Sequence, residues 1–212
     1  MILDSSVDPK ETALMVIDVQ NDFCHKDGSL ARQGIDVSHA DNMIPALTYL
    51  IDQARLFHVP IIFVRTIHET STDSATWVRR LRGKSQADLC RKGTWGSEFY
   101  KITPASEDII VTKHRYSAFI HTRLDSILRT LNIKNILMSG VSTNVCVEST
   151  ARDGFMLDYD VVFLSDCTAA FSKEAHEMTL TNINQFFGTV ADSNQVIDKW
   201  VTLGKNNLSI TK

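Results

Sequence analysis

The chain has 212 residues, of which 43% are hydrophobic and 22% charged, and its formal net charge is −3 at pH 7. That is enough apolar material for the core of one α/β domain, and the weakly acidic balance leaves no electrostatic footprint for nucleic acid or an anionic membrane surface. No apolar run approaches the ~18 residues of a membrane span.

The amino-terminal stretch MILDSSVDPKE lacks the apolar segment of a secretory signal. The first strong element is TALMVID, Thr12–Asp18, a short apolar run that suits a buried strand ending at an acid. Beyond a polar loop, SHADNMIPALTYLIDQARLFHV repeats apolar residues at steps of three and four, which predicts an amphipathic helix. Ser38 or Asp41 would cap it, and Pro45 is best placed in its first turn. PIIFVRT, Pro60–Thr66, reads as a second buried strand.

The span 67–104 is polar, holds Gly83, Gly93 and Gly96, and has a helical pattern only around Trp77–Leu81. A long irregular excursion in a compact domain is usually functional, so it is expected to act as a lid or specificity segment. Its basic run WVRRLRGK is read as a solvated helix face rather than an anion site. DIIVTK then predicts a strand, TRLDSILRTLN a helix, NILMSG a strand and VCVESTARDGFML a helix. DVVFLSD, KEAHEMTLTNINQFF and SNQVIDKW follow as strand, helix and helix. Strands that are near-continuous apolar runs alternating with helices predict one doubly wound, mostly parallel sheet covered on both faces. No linker or repeat interrupts the pattern, so residues 1–212 are expected to form a single domain.

The four cysteines, Cys24, Cys90, Cys146 and Cys167, show neither CxxC nor CxxH spacing. That argues against a zinc site and a disulfide framework, and for a cytoplasmic protein with reduced thiols. Asp18, Lys113 and Cys146 each fall at or just after the end of a different predicted strand, where ligands bind in such sheets. Singly, each has an ordinary explanation: a cap, a solvated edge, a small packing residue. Together they have chemical sense. A cysteine attacks only as thiolate, which an ammonium and a helix start both favour, and a carboxylate can take the thiol proton and return it to a leaving amine. Backbone N–H groups of the GVSTNVC turn would then bind the oxyanion.

The blocks ALMVIDVQNDF, KHRYSAF and GVSTNVCVESTARDGFMLDYDVVFLSDCTAA together resemble the isochorismatase-like cysteine hydrolases. The resemblance runs from about Ala13 to Gly188. It implies a catalytic triad of Asp18, Lys113 and Cys146 and a non-proline cis peptide at Val141–Ser142. That turn would direct backbone N–H groups, including that of Cys146, toward the oxyanion. The resemblance also implies a homo-oligomer, dimer or tetramer.

Within that family, a retained cysteine points to amide-type bonds rather than to a vinyl ether. Nicotinamidases carry an Asp-x-His run and a further His after the second strand; here RTIHETSTD has Thr66 in place of the acid and His68 alone. A single histidine is not a metal site, so neither a metal nor a cofactor is expected. RYSAF and TNVCVESTARDGF most resemble ureidoacrylate amidohydrolases, which remove a carbamoyl group from a ureido compound. Thr66 and His68 depart from that group where its substrate contacts lie, so biuret- and N-carbamoylsarcosine-type activities stay open. A small-molecule substrate would meet Gln20, Thr66, His68, Tyr116, Phe119 and Asn144, with Arg115 also near, and Trp77, Arg79 and Trp95 as lid candidates. A non-catalytic binding domain is the main alternative, opposed by the intact Asp18, Lys113 and Cys146. A redox thiol protein is opposed by the lack of a resolving cysteine.

Overall fold

A computed structural model describes residues 7–80 and 88–210, with side chains to Lys205. In chain order the strands are β1 (Thr12–Ile17), β2 (Ile61–Thr66), β3 (Ile109–Lys113), β4 (Asn135–Val141), β5 (Asp160–Ala169) and β6 (Thr189–Ala191). The helices are α1 (Asn21–Cys24), α2 (Ser29–Arg32), α3 (Ser38–Leu56), α4 (Ala75–Arg80), α5 (Leu124–Thr130), α6 (Glu148–Met156), α7 (Lys173–Phe186) and α8 (Ser193–Ile210).

All the strand pairs are parallel, in the order β3-β2-β1-β4-β5-β6. Every residue of β1 and β4 is buried because helices cover both faces. Side chains alternate across a strand, and the cores divide accordingly. Leu14, Val16 and Leu137 pack with α3 and α8 on one face, around Leu47, Leu50 and Trp200. Ala13, Met15, Ile17, Ile136 and Met138 pack with α5, α6 and α7 on the other, around Leu124, Leu128, Ala151 and Ile183. The order reverses between β1 and β4. The carboxyl ends of those neighbours therefore flank the crevice where such sheets bind ligands.

The predicted elements hold their order, with local differences. Pro45 lies well inside α3, not in its first turn. The helix starts earlier than its apolar stripe requires because the Asp36 carboxylate accepts the Ser38 N–H at 2.9 Å. Neither Ser38 nor Asp41 is the cap. The Asp41 carboxylate instead takes hydrogen bonds from the Tyr100 hydroxyl at 2.8 Å and Lys101 Nζ at 2.6 Å. Strand β6 went unpredicted, since TVA is too short to show a period. The helix read as SNQVIDKW runs on to Ile210.

The span 67–104 is more tightly bound than its composition suggests. His68 bridges to Arg91 in a parallel sense and Gln20 to Phe99 in an antiparallel one. The Asp22 carboxylate accepts both the Ser29 N–H at 2.8 Å and the Cys90 N–H at 2.7 Å, tying α2 to the segment. Part of the basic run, from Leu81 to Lys84, lies outside the described residues. Among the described residues no helix is long and apolar enough to cross a membrane.

Candidate active site

The carboxyl ends of β1 to β4 bring Asp18, Thr66, Lys113 and Cys146 together. Asp18 follows Ile17 with φ of 54°, leaving the strand line at once. Lys113 is the last residue of β3, two strands from β1, a gap of roughly 9–10 Å at ordinary strand spacing. Only a long side chain crosses it. The Lys113 ammonium ends 2.7 Å from Asp18 Oδ2, and both side chains are 1% exposed. Thr66 ends the intervening β2, paired in register with Lys113. Its hydroxyl accepts from Lys113 Nζ at 2.8 Å and donates to Asp18 Oδ1 at 2.9 Å. Lys113 also donates to the Arg115 carbonyl at 3.0 Å. Asp18 Oδ2 makes the close ion pair without an aligned hydrogen bond, which leaves it acceptor capacity.

Cys146 stands on a turn held from several sides. The Val141–Ser142 peptide is cis. A wide-turn helical segment, Thr143–Val147, leads into α6. The Ser142 carbonyl accepts the N–H groups of Val145 at 3.0 Å and Val147 at 3.2 Å, on either side of Cys146. Thr150 donates its hydroxyl to the Cys146 carbonyl at 2.7 Å, and Thr143 Oγ1 meets His176 Nδ1 at 2.9 Å. Gly140 opens this turn at φ of 108°, and a Cβ there would stand 2.0 Å from the Ile17 carbonyl oxygen. Glycine is required because β1 and β4 approach this closely just before Asp18 and the Cys146 turn.

Burial pushes the Cys146 thiol up to about 12, with Lys113 opposing and the Asp18 carboxylate adding to the rise. The ammonium acts in the expected direction, but desolvation outweighs it, so the thiol rests protonated. For Lys113, burial pulls down, but its partners, the Asp18 carboxylate foremost, outweigh it and the direction is up, so the ammonium stays charged. The other thiols, Cys24, Cys90 and Cys167, are buried and raised chiefly by the same desolvation.

Cys146, Ser142, Thr66 and Lys113 line a cavity of about 170 Å³. His68, Trp77, Arg115 and Tyr116 come to it from the segments after β2 and β3; Phe23, Leu30, Ile35 and Phe171 come from those after β1 and β5. Val145 and Leu89 complete it. His68 is 3% exposed, its Nδ1 buried without a partner, and burial lowers it to about 4, so the ring is neutral at pH 7. Its ring leans on Trp77 at 5.0 Å, and Trp77 meets Tyr116 edge-on at 5.2 Å.

Three of the predicted substrate contacts lie elsewhere. Gln20 is fully buried behind the site: its amide donates to the carbonyls of Thr66 at 2.9 Å and Ser97 at 2.8 Å and accepts the Thr66 N–H at 2.7 Å. Phe119 stacks on Tyr159 at 5.8 Å in the core beneath α6, where its apolar ring is better satisfied. Asn144 is exposed and accepts the Ser142 hydroxyl at 2.7 Å, bracing the turn rather than facing the cavity. Arg79 is exposed on α4, and Trp95 packs edge-on against His25 at 5.0 Å, away from Cys146. The apolar wall was missed, although Phe23, Leu30 and Ile35 are isolated apolar residues in a polar loop, a signal in themselves.

The sheet order and the groups at its strand ends define a doubly wound α/β protein with a carboxylate, an ammonium and a thiol in one small crevice. The chain matches the isochorismatase domain over residues 12–195 and belongs to that family. A ureidoacrylate amidohydrolase of Pseudomonas syringae pv. syringae is 37% identical over 198 residues, 86% of this chain and 81% of that protein. Its counterpart in Acinetobacter baylyi is 34% identical over 205 residues, 90% of this chain and 84% of that protein. A cysteine hydrolase of Pseudomonas syringae pv. phaseolicola 1448A superposes with a TM-score of 0.86 at 29% identity, covering 95% of this chain and 98% of that one.

Proposed function

We propose that the chain is a metal-independent amidohydrolase that cleaves a C–N bond of a small ureido, carbamoyl or amide compound through a thioester on Cys146. The observation that carries this reading is the buried Asp18–Lys113 ion pair acting on the Cys146 thiol at the floor of a small cavity. The ureidoacrylate amidohydrolase relatives support the bond class. The cavity is well below the ~300–1,000 Å³ that holds drug-sized ligands, in keeping with a small substrate. The chemistry is assigned to the protein's own acid, base and nucleophile, with His68 the lone imidazole of the stretch after β2.

In this mechanism Asp18 takes the Cys146 proton as the sulfur adds to the carbonyl carbon. Lys113 keeps a positive charge beside the carboxylate and the forming thiolate. Thr66 holds Asp18 Oδ1, which leaves Oδ2 for the proton. The oxyanion accepts backbone N–H groups of the turn, that of Cys146 among them. Asp18 then gives the proton to the departing nitrogen, the C–N bond breaks, and water, deprotonated by Asp18, hydrolyses the thioester. A raised thiol is compatible with this, because proton transfer and attack are coupled in the complex rather than relying on free thiolate.

The segment 67–104 is proposed to set specificity, as His68, Trp77 and Leu89 come from it. Four unpaired cysteines accord with a reducing, cytoplasmic setting. The exposed Phe155, Met156, Met178 and Phe186 on α6 and α7 support self-association. Cys146→Ala should abolish ammonia or amine release across a panel of ureido acids, biuret and simple amides. It should also lack the substrate-derived mass adduct expected on quenched wild-type protein. Wild-type turnover by that variant would end the proposal.

A further inference from the structure

The cavity has two chemically different flanks, and the strand order separates them. The β2 and β3 side brings His68, Trp77, Arg115 and Tyr116, while the β1 and β5 side brings Phe23, Leu30, Ile35 and Phe171. Cys146 follows β4, which lies between β1 and β5. The apolar side is a separate small core: Leu30 packs with Val37, Leu89 and Cys90, with Phe23, Ile35 and Phe171 against it. It is held to the frame by the Asp22 carboxylate, which bonds the backbone on both sides of it.

Resting on the amidohydrolase reading, we propose that the substrate's organic group R, borne by the scissile carbonyl or by the nitrogen that leaves it, is a compact, uncharged hydrocarbon. The substrate is then a carboxamide R–CO–NH2 or a urea R–NH–CO–NH2 whose R lies on the Phe23, Leu30, Leu89 and Phe171 wall. In the first case Cys146 Sγ bonds to the carbonyl carbon, the nitrogen leaves as ammonia with the proton from Asp18, and water converts the thioester to R–COOH. In the second, R–NH2 leaves and water releases carbamate from the sulfur.

The described charges that line the cavity already have partners. Lys113 is paired with Asp18. Arg115 donates through Nη1 to the carbonyls of Thr72 at 3.1 Å and His114 at 2.6 Å, and its guanidinium sits 5.6 Å from the Trp77 ring centre. His68 is neutral. A carboxylate on R lying on this wall would thus be stripped of water against carbon, where the described lining residues offer no donor side chain, which is strongly unfavourable. A methylene there gains instead, commonly about 10-fold or more in selectivity.

The test compares kcat/KM within matched pairs: butyramide against succinamate, and propylurea against 3-ureidopropionate. The hydrocarbon member should lead by at least about 10-fold in a pair that is turned over, and should rise again from acetamide to butyramide. Phe171→Ser, checked for folding by circular dichroism, should narrow that lead. Preference for the carboxylate members, lost on Arg115→Gln, would overturn this inference and leave the amidohydrolase reading intact. Hydrolysis of no amide or urea would overturn both.

Discussion

Replacing Lys113 by methionine tests the core of the site. In the native protein Lys113 Nζ lies 2.7 Å from Asp18 Oδ2, and both side chains are 1% exposed. At an effective dielectric of ~20 that separation corresponds to about 6 kcal/mol of attraction, while measured losses on breaking buried pairs run at about 3–5 kcal/mol. Lys113→Met also strips a donor from Thr66 Oγ1 and from the Arg115 carbonyl. The variant should therefore lose about 3–5 kcal/mol at pH 7, because a carboxylate stays buried without its counter-charge. With a urea slope of about 2–3 kcal/mol/M, the midpoint should fall by about 1–2.5 M. Asp18→Asn in the same chain removes the stranded charge while Thr66 can still donate to the amide oxygen. The double variant should thus be more stable than Lys113→Met alone, with a coupling of about 2 kcal/mol or more. A midpoint shift below about 0.3 M, or a double variant no more stable than Lys113→Met, would refute the reasoning.

Other outcomes follow from the same geometry. The Cys146 thiol is raised from 9.0 to about 12, so the folded state holds its proton more tightly than the unfolded chain. That stability is whole below pH 9 and drains as pH rises toward 12, by up to about 4 kcal/mol; urea midpoints should fall less steeply in Cys146→Ala, and equal slopes would count against it. His68 runs the opposite way: lowered from 6.5 to about 4, it contributes stability above pH 6.5 that is lost as pH falls toward 4. His68→Gln should flatten that acid limb in a melting-temperature series, and an unchanged limb would place the titration elsewhere. Gly140→Ala forces a Cβ to 2.0 Å from the Ile17 carbonyl at a φ of 108°. It should cost more than about 2 kcal/mol by calorimetry; a neutral outcome would mean the β1–β4 approach is not that tight.

Much of the frame was legible because buried parallel strands and amphipathic helices write their periods into the chain. TALMVID, PIIFVRT, IIVTK and NILMSG all became strands of the sheet. The local failures have physical causes. Pro45 fell inside α3 because the Asp36–Ser38 hydrogen bond starts that helix ahead of its apolar stripe. Strand β6 borrows its pairing from β5 and has too few residues to carry a pattern. Gln20, Phe119 and Asn144 stood beside motif residues in sequence, but proximity along a strand end or turn does not say which way a side chain goes. The helix-start argument for the thiolate held no information about burial, the largest influence on Cys146.

Alone, the sequence determined the α/β alternation, the strand ends at which Asp18, Lys113 and Cys146 fall, and the family resemblance those blocks carry. Each of those is local, or a fixed spacing along one chain. Only the tertiary structure decided that Thr66 bridges the ion pair, that His68 is neutral and half unpartnered, and that a hydrocarbon wall faces Cys146. Those properties depend on which strands become neighbours. Lys113 meets Asp18 only because β3 and β1 flank β2, and the thiol is raised only because helices and loops from both halves of the sheet exclude water around it.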